Sequence, residues 1–130
     1  YLPKLPGADR LKAIKGLGNT CPSCGYPTIH ERCSFDICSI CFWEDDGQDD
    51  QEADEVFGGP NSYYSLTGHR LEWAKKLKEL KMDNSEGAGL LNRIDKLIAS
   101  DQETAIPEVL ELVKKLSGWF GKQIGIKKRP

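Results

Sequence analysis

Two CxxC pairs constrain the fold of this chain more than any other feature. They are Cys21-Pro-Ser-Cys24 and Cys38-Ser-Ile-Cys41, and thirteen residues separate them. Two such pairs can deliver four thiolates to one tetrahedral zinc ion, each at about 2.3 Å. Gly25 follows the first pair, where a tight knuckle favours a residue that tolerates positive φ. The spacing therefore predicts a structural Zn²⁺ site made by Cys21, Cys24, Cys38 and Cys41, with a redox dithiol pair or iron as alternatives.

The same four cysteines would also permit two disulfides, the arrangement expected in a small secreted domain. The paired CxxC spacing and the lack of a signal-peptide pattern argue against it. The chain starts at Tyr1 rather than at a methionine, so a preceding segment stays open. No apolar run approaches the roughly 20 residues that a membrane span needs. We expect a cytoplasmic protein with no membrane contact.

A fifth cysteine, Cys33, is left outside the CxxC pairs. Alternation places Cys33, Phe35 and Ile37 on one apolar face of a predicted strand. On that face a buried, inert thiol is favoured over a fifth ligand or a nucleophile. His30 is expected at the surface and His69 on a helix, so no Cys–His catalytic pair is visible.

An acidic run follows the last CxxC cysteine. Eight carboxylates occur in the twelve residues from Glu44 to Glu55, without one Lys or Arg. Such a run is typical of a solvated loop, because like charges repel and cannot be buried together. As a Mg²⁺ or Ca²⁺ site it would use Asp45, Asp46, Asp49 and Asp50, but the run lacks the register of a calcium-binding EF-hand loop. The pattern therefore predicts a presented surface, held between a turn at Gly47 and one at 58–61.

The cysteine pairs and the acidic run together carry a family resemblance. The strings CPSCGYPT, ERCSFDICSICFWEDDGQDD and EADEVFGGPN resemble the cysteine-rich CPCC family of small bacterial zinc-ribbon-like proteins, over about residues 20–75. The chain departs from the family at Ser23, where the family has a further cysteine, and at Ser39, where a proline is common. Neither change removes a CxxC ligand. The resemblance implies a fold and a metal site but no known activity, and related domains near bacterial toxin loci imply an immunity role by association only.

The rest of the chain carries three helical stripes. Ser65 or Thr67 is expected to start the first helix, Ser85 to precede the second, and Thr104 to cap the third, which has Pro107 in its first turn. The stripes comprise Leu66, Leu71, Ala74, Leu77 and Leu80, then Leu90, Leu91, Ile94, Leu97 and Ile98, then Val109, Leu110, Val113 and Leu116. This pattern predicts a small antiparallel helical unit.

The predicted fold class is α+β: a small four-cysteine zinc ribbon with short β-hairpins, followed by a helical extension of about three helices. The predicted segments are an N-terminal linker or short helix at 1–19, the cysteine module at 20–66, the helical extension at 67–120 and a basic tail at 121–130. Gly118 is expected to interrupt the third helix.

The charge distribution indicates the kind of partner. The net charge is only −2, but the acid is concentrated after the second CxxC pair and the basic residues lie largely in the helices. A nucleic-acid binder normally presents a basic face, so the module has the wrong sign for that role. We expect a non-enzymatic, zinc-stabilised protein-binding module, most concretely a bacterial immunity protein that neutralises a basic toxin domain. The alternatives are a metal-dependent enzyme that uses the carboxylate cluster at 44–55 and a nucleic-acid-binding zinc ribbon.

The expected partner surface combines aromatic and acidic residues. It comprises Trp43, Glu44, Asp45, Asp46, Asp49, Asp50, Tyr63 and Tyr64. The aromatics would be the buried anchors, since aromatic residues dominate interface energetics. Phe42 and Trp43 have a second interpretation, in which they pack over the metal knuckle and shield the thiolates.

Overall fold

The structure, a computed structural model, describes residues 18–100 and 103–128, so the linker or short helix expected at 1–19 lies almost wholly outside the described residues. Three α-helices follow the cysteine-rich part of the chain: α1 (Leu66–Lys81), α2 (Glu86–Ala99) and α3 (Ile106–Lys128). Three-residue 3₁₀ turns occur at Asp50–Glu52, Gly59–Asn61 and Glu103–Ala105. None of the described helices combines the length and the apolar character needed to cross a bilayer.

Serine side chains start the first two helices. The Ser65 hydroxyl accepts a hydrogen bond from the Gly68 amide at 3.0 Å, and the Ser85 hydroxyl accepts one from the Ala88 amide at 3.1 Å. Each bond satisfies an amide that has no partner within its own helix. The predicted starts are therefore confirmed, whereas Thr104 lies in the 3₁₀ turn that precedes α3 rather than at the helix cap.

Helix α3 is longer than the sequence pattern predicted. It runs through Gly118 and continues to Lys128, so the predicted interruption is wrong and the backbone of the expected basic tail is helical up to that residue. A glycine inside a helix costs only about 1 kcal/mol relative to alanine. Phe120, two residues further on, is buried in the core, and burial of a phenylalanine contributes about 1.5–3 kcal/mol.

The helix stripes are confirmed best in α2, where Leu91, Ile94 and Ile98 are buried. In α1, Leu66 is buried and Leu77 and Leu80 pack against the core as predicted, but Arg70 and Trp73 are buried as well. Arg70 contacts the cysteine-rich part of the chain through the Pro22 carbonyl, whereas Leu71, predicted to face inward, is 44% exposed. A buried arginine breaks the apolar stripe, which is why the pattern of α1 was misassigned at this point.

In α3 one position of the predicted stripe is wrong. Val109, Val113 and Leu116 are buried as expected, but Leu112 takes the inward position that was assigned to Leu110. The ion pair between Arg93 and Glu108 and the contact between Gly87 and Trp119 bring the start of one helix near the end of the other. Helices α2 and α3 are therefore antiparallel, as predicted.

The cysteine module and the helices share one hydrophobic core. The buried cluster runs from the four CxxC cysteines through Trp43 and Trp73 to the apolar residues of α2 and α3. The rings of Trp73 and Phe120 lie 5.9 Å apart between centroids. Ser39 lies in the second knuckle, the turn formed by the second CxxC pair (Cys38 and Cys41). Its hydroxyl is 2.6 Å from that of Ser117 in α3. The helical extension is thus packed against the module rather than tethered to it.

The predicted β-hairpins are not confirmed. In the described part of the chain, extended pairing is limited to isolated antiparallel bridges at Asn19–Ile29 and Ile37–Glu44. The strand expected around Cys33 and Phe35 is wrong, because both residues adopt left-handed backbone conformations with φ of 63° and 62°. Two such residues turn the chain and end the alternation that suggested a strand.

The contact between α2 and α3 leads to a test with two neighbouring glycines. A Cβ at Gly87 would lie 2.5 Å from the ring of Trp119, whereas one at Gly89 would meet nothing within 4 Å. We expect Gly87→Ala to destabilise the protein by about 1–3 kcal/mol through overpacking. Gly89→Ala should stabilise it by roughly 0.5–1 kcal/mol through helix propensity. Urea denaturation measures both changes, and a neutral Gly87→Ala variant would contradict the close packing of Trp119.

Candidate metal centre and acidic loop

The four CxxC cysteines converge in space. All four side chains are buried, and their sulfur atoms lie within 4.8 Å of one another. The sulfurs of Cys21 and Cys41 are 3.6 Å apart, and so are those of Cys24 and Cys38. A regular tetrahedron with metal–sulfur bonds of about 2.3 Å has sulfurs about 3.8 Å apart. The cluster therefore has the size and the donor set of a four-thiolate metal site.

The backbone of the first knuckle explains how one CxxC pair points both sulfurs inward. The Gly25 amide donates to the Cys21 carbonyl at 2.9 Å, and the Cys21 amide donates to the Tyr26 carbonyl at 2.8 Å. Gly25 has φ of 84°, as the sequence predicted for a residue that must reverse the chain here. Glycine reaches this region at no steric cost.

The second knuckle repeats this geometry without a glycine. The Phe42 amide donates to the Cys38 carbonyl at 3.0 Å, and the Cys38 amide donates to the Trp43 carbonyl at 2.9 Å. Phe42 occupies the position of the glycine, with φ of 66°. A phenylalanine in this region is strained, and such strain persists only where the surroundings impose it. The two knuckles are thus one motif used twice, which the residue types alone do not reveal.

Hydrogen bonds to the cysteine sulfurs stabilise negative charge in the cluster. The Ile40 and Cys41 amides each lie 3.4 Å from the Cys38 sulfur, and the Thr28 hydroxyl donates to the same atom at 2.9 Å. In the first knuckle the Ser23 amide donates to the Cys21 sulfur at 3.4 Å. Donors aimed at a sulfur favour its thiolate form, which is the form that binds a metal.

The thiol pKa is shifted in opposite directions at different cysteines of the cluster. Burial raises the pKa of the Cys24 and Cys41 thiols well above the ordinary value. Burial also opposes ionisation of Cys38, but hydrogen bonds from the neighbouring cysteines and from Thr28 outweigh it, and the pKa of Cys38 is lowered well below the ordinary value. Four buried thiolates need a compensating cation, so metal binding must displace protons from this site.

His69 joins α1 to the cluster. Its Nδ1 lies 2.5 Å from the hydroxyl of Ser23, and its ring centroid lies 5.1 Å from that of Trp43. Burial lowers the pKa of His69, although the nearby Cys38 thiol and Cys41 backbone act in the opposite direction. The imidazole is therefore neutral near pH 7. His30, by contrast, is at the surface as predicted.

The acidic run does not form an exposed surface throughout. Asp45 is 0% exposed and accepts hydrogen bonds from Arg32 Nε and the Cys33 amide at 2.8 Å each, and from the Gly47 amide at 3.3 Å. The expectation that Asp45 faces a partner is therefore wrong. Its charge is balanced by an arginine and by backbone donors, so a buried carboxylate is tolerated here.

Asp50 and Asp49 also have structural contacts. Arg70, only 5% exposed, donates from one terminal nitrogen to Asp50 and from Nε to the Pro22 carbonyl, both at 2.8 Å. It thereby links α1, the acidic run and the first knuckle. Asp49 caps the 3₁₀ turn at Asp50–Glu52 in a reciprocal capping box. The buried arginine and this cap were not anticipated from the sequence.

The remaining part of the run is tied by Gln48 and Asn61. Gln48 is 0% exposed, and its side-chain amide donates to the carbonyls of Glu52 and Glu55 at 3.1 Å and 2.6 Å. The Asp46 carboxylate accepts from the backbone amide of Gln48 at 3.0 Å and from the side-chain amide of Asn61 at 3.2 Å. The run is largely a scaffold of carboxylates that bind backbone amides and arginines. Arg32 was the available signal, since residues 18–65 contain ten Asp and Glu residues and no other Arg or Lys.

The predicted aromatic anchors are separated by the structure. Trp43 is 0% exposed and lies in the core, which agrees with its expected packing over the knuckle and removes it from any surface. Tyr63 is 75% exposed and its ring stacks on that of the half-buried Tyr64, with centroids 4.8 Å apart. Four exposed apolar residues of the module were not anticipated as surface: Phe35, Ile37, Val56 and Phe57.

The carboxylates of residues 18–100 and 103–128 form no cluster that could share a metal ion. Among the described residues, the group of His, Cys, Asp or Glu side chains close enough to share one ion consists of the four CxxC cysteines alone. The aspartates that a Mg²⁺ or Ca²⁺ site would have used are bonded to amides and arginines instead.

Cys33 lies outside the cluster and is exposed, so its predicted burial is wrong. We expect Cys33→Ala to leave metal content and stability unchanged. Cys33→Val should destabilise the protein, because a β-branched residue is a poor fit at φ of 63°. Metal analysis and thermal unfolding of both variants check this pair. A loss of metal in Cys33→Ala would show that the wrong four cysteines were chosen.

Comparison of the chain with curated proteins and with solved structures yields no match. The family comparison matches one segment, which contains both knuckles, the acidic run and the first part of α1. Residues 19–76 match the family model described as Cysteine-rich CPCC, which confirms the resemblance for this segment of the chain.

Proposed function

We propose that this protein is a zinc-stabilised protein-binding module, and most concretely an immunity protein that neutralises a basic toxin domain. The observation that carries the proposal is the combination of a closed four-cysteine cluster with a strongly acidic module that has exposed apolar residues. Residues 18–65 contain one arginine and ten carboxylates, a formal charge of −9. The immunity role in particular rests on the family resemblance and on this charge.

Zinc suits the cluster because of its ligands. Soft thiolates in a tetrahedral arrangement favour zinc or an iron centre over magnesium or calcium. Four protein ligands also leave no open position for water or substrate, and a closed site of this kind is structural rather than catalytic. The proposed metal therefore holds the two knuckles together, and the chemistry of the module lies at its surface.

The surface favours a basic protein over other partners. Exposed carboxylates such as Glu31 and Glu55 would attract a cationic partner and speed the encounter, because steering raises on-rates by factors of about 10 to 10³. Exposed Phe35, Ile37 and Tyr63 supply the apolar contact area that an interface core needs. Nucleic acid would be repelled by the same charge. An enzymatic role for the carboxylates is disfavoured, since they are engaged in internal bonds.

The proposal is tested by isolating and then reconstituting a partner. The tagged 130-residue chain captures proteins from the source cell. Each captured protein is purified, and its binding kinetics are measured from about 50 to about 500 mM salt. We expect a basic partner whose association rate falls with salt and falls further in the Glu31→Gln/Glu55→Gln variant. Expression of this partner alone should arrest growth, and co-expression of the present chain should restore it.

Two results would count against the proposal. A reconstituted partner whose binding is insensitive to both salt and the double variant would contradict the acidic surface. A reconstituted partner that causes no growth arrest would support the protein-binding role but contradict the immunity role. Leu71→Gln, an exposed position on α1, is the control for nonspecific effects of a surface change.

A further inference from the structure

The extended pair at Ile37–Glu44 has one closed edge and one open edge. On the far side of the pair, the Asn61 side chain accepts from the Glu44 amide at 3.0 Å and donates to the Glu44 carbonyl at 2.7 Å. Asn61 thus occupies the place of a neighbouring strand. On the opposite edge, the side of Ile37 that points away from Glu44, the backbone amide and carbonyl of Ile37 have no hydrogen-bond partner within the described residues. The residue is 58% exposed.

A bulge next to this edge presents a second apolar residue. The Phe35 amide donates to the Asp45 carbonyl at 3.0 Å, and the Asp45 amide donates to the Asp36 carbonyl at 2.9 Å. Two residues therefore oppose one, as in a β-bulge whose first residue is left-handed. Phe35 has φ of 62°, and its side chain is 56% exposed. The strain of a left-handed phenylalanine is thus combined with an exposed ring.

An open backbone edge beside exposed apolar side chains fits one known mode of recognition, the addition of an extended segment as a further strand. Main-chain hydrogen bonds provide affinity in that mode, and alternate side chains provide specificity. Natural proteins normally protect such edges with a lysine, a proline or a covering loop. Here the edge residue is an isoleucine, and its neighbour Asp36 is acidic rather than basic. The Asp36 carboxylate accepts from the Glu31 amide at 2.9 Å, which places the exposed, acidic Glu31 beside it.

The negative charge of the module indicates which kind of segment would bind at the open edge. A second copy of this chain would bring together two modules of charge −9 each, and like charges in an interface are strongly unfavourable. An extended segment with alternating basic and apolar residues would instead meet the carboxylates with its charges and Phe35 and Ile37 with its apolar side chains.

We propose that Ile37 is the docking edge for an extended, lysine- or arginine-rich segment of a protein partner, with Phe35 as its apolar contact. This inference rests on the proposed function and specifies how the module of residues 18–65 holds its partner.

The first experiment uses a synthetic probe and the whole 130-residue chain. The probe is an end-capped heptapeptide of alternating lysine and valine, titrated into ¹⁵N-labelled protein. We expect saturable binding, with amide shifts concentrated at residues 35–37 and slowed hydrogen exchange of the Ile37 amide. In a strand, alternate residues point their backbone groups to the same side. N-methylation of the lysines alone or of the valines alone should therefore weaken binding about tenfold in one case and little in the other, given the modest net strength of each hydrogen bond.

Variants separate the edge from general charge attraction. Ile37→Pro removes the amide donor and should weaken the peptide about tenfold. Ile37→Lys keeps the backbone and places a protecting lysine on the edge, so it tests the same idea if the proline variant is unfolded. Leu71→Lys adds the same charge at an exposed site on α1 and is the matched control. Metal content and thermal unfolding are measured for each variant.

Each outcome decides the proposal. Equal binding by Ile37→Lys and Leu71→Lys, equal effects of both N-methylated peptides, or shifts located away from residues 35–37 would overturn the docking edge. So would the absence of peptide binding. A reconstituted partner that binds the wild type and also binds Ile37→Lys with the same affinity would overturn the edge while leaving the proposed function intact. Failure of the wild-type protein to bind any partner, despite peptide binding at Ile37, would reject the proposed function instead.

Discussion

Replacement of Cys38 by serine is expected to abolish metal binding and to unfold residues 18–65. The Cys38 sulfur accepts three hydrogen bonds, from Thr28, Ile40 and Cys41, and is the cysteine most favoured as a thiolate. Zinc binding to small structural modules has an apparent free energy of about 10–16 kcal/mol, which is as large as the whole stability of a typical domain, about 5–15 kcal/mol. No redistribution of packing can offset that loss.

The effect should extend to the helices, because Trp43 and Trp73 belong to the same core as α2 and α3. Metal content, measured by elemental analysis, should fall from about one equivalent of zinc to none. Near-ultraviolet circular dichroism, which reports tryptophan packing, should collapse in the same variant. Cys33→Ser is the matched control, since it removes an exposed cysteine outside the cluster. Wild-type protein with no zinc and with disulfide-linked CxxC peptides would contradict the metal centre.

The second large effect is expected at Asp45. Asp45→Ala removes a carboxylate that is 0% exposed and leaves the guanidinium of Arg32 and the Cys33 amide without their 2.8 Å partner. Breaking a buried ion pair from one side costs about 3–5 kcal/mol. Arg32 is partly exposed and can recover water, so we expect a loss near the lower limit, about 3 kcal/mol. Replacement of the exposed Glu55 by alanine should change the stability by less than about 0.5 kcal/mol.

Urea denaturation of the metal-loaded variants measures this difference. Both substitutions remove one negative charge from the same run, so simple charge repulsion predicts the same small stabilisation in each. Equal effects would therefore contradict the internal role of Asp45. The result also bears on tests of partner steering. Neutralising Asp45, Asp46, Asp49 and Asp50 together would disturb the module, because all four carboxylates make internal contacts. Exposed carboxylates such as Glu55 are therefore the better choice for such tests.

The four-cysteine cluster could be predicted from sequence because CxxC spacing is a local property. Two intervening residues place both sulfurs of a pair on one side of a tight turn, and four thiolates at that spacing have few other uses outside the oxidising compartments. The helix starts at Ser65 and Ser85 are equally local, since each depends on a hydroxyl within three residues of an amide. The apolar repeat of α2 belongs to the same class.

The role of the acidic run depended on tertiary contacts. Asp45 is buried because Arg32, thirteen residues earlier, reaches it, and Asp50 is held because Arg70 of α1 is turned inward. The free energy of a carboxylate depends on its partners in space, and a run of acids reports only composition. Arg70 is likewise buried because its partners are distant along the chain. The apolar periodicity of α1 therefore gave no indication of its burial.

Backbone conformation was the other property that composition concealed. Cys33, Phe35 and Ile37 alternate as a strand would, but the left-handed φ of the first two turns the chain and exposes all three side chains. What the sequence by itself determined were the members of the four-cysteine cluster and the starts of α1 and α2, because each depends on interactions within a few residues. Which charges are buried, which aromatics are exposed and where an edge stays open were decided only by the tertiary structure, since each of these depends on groups that are distant along the chain.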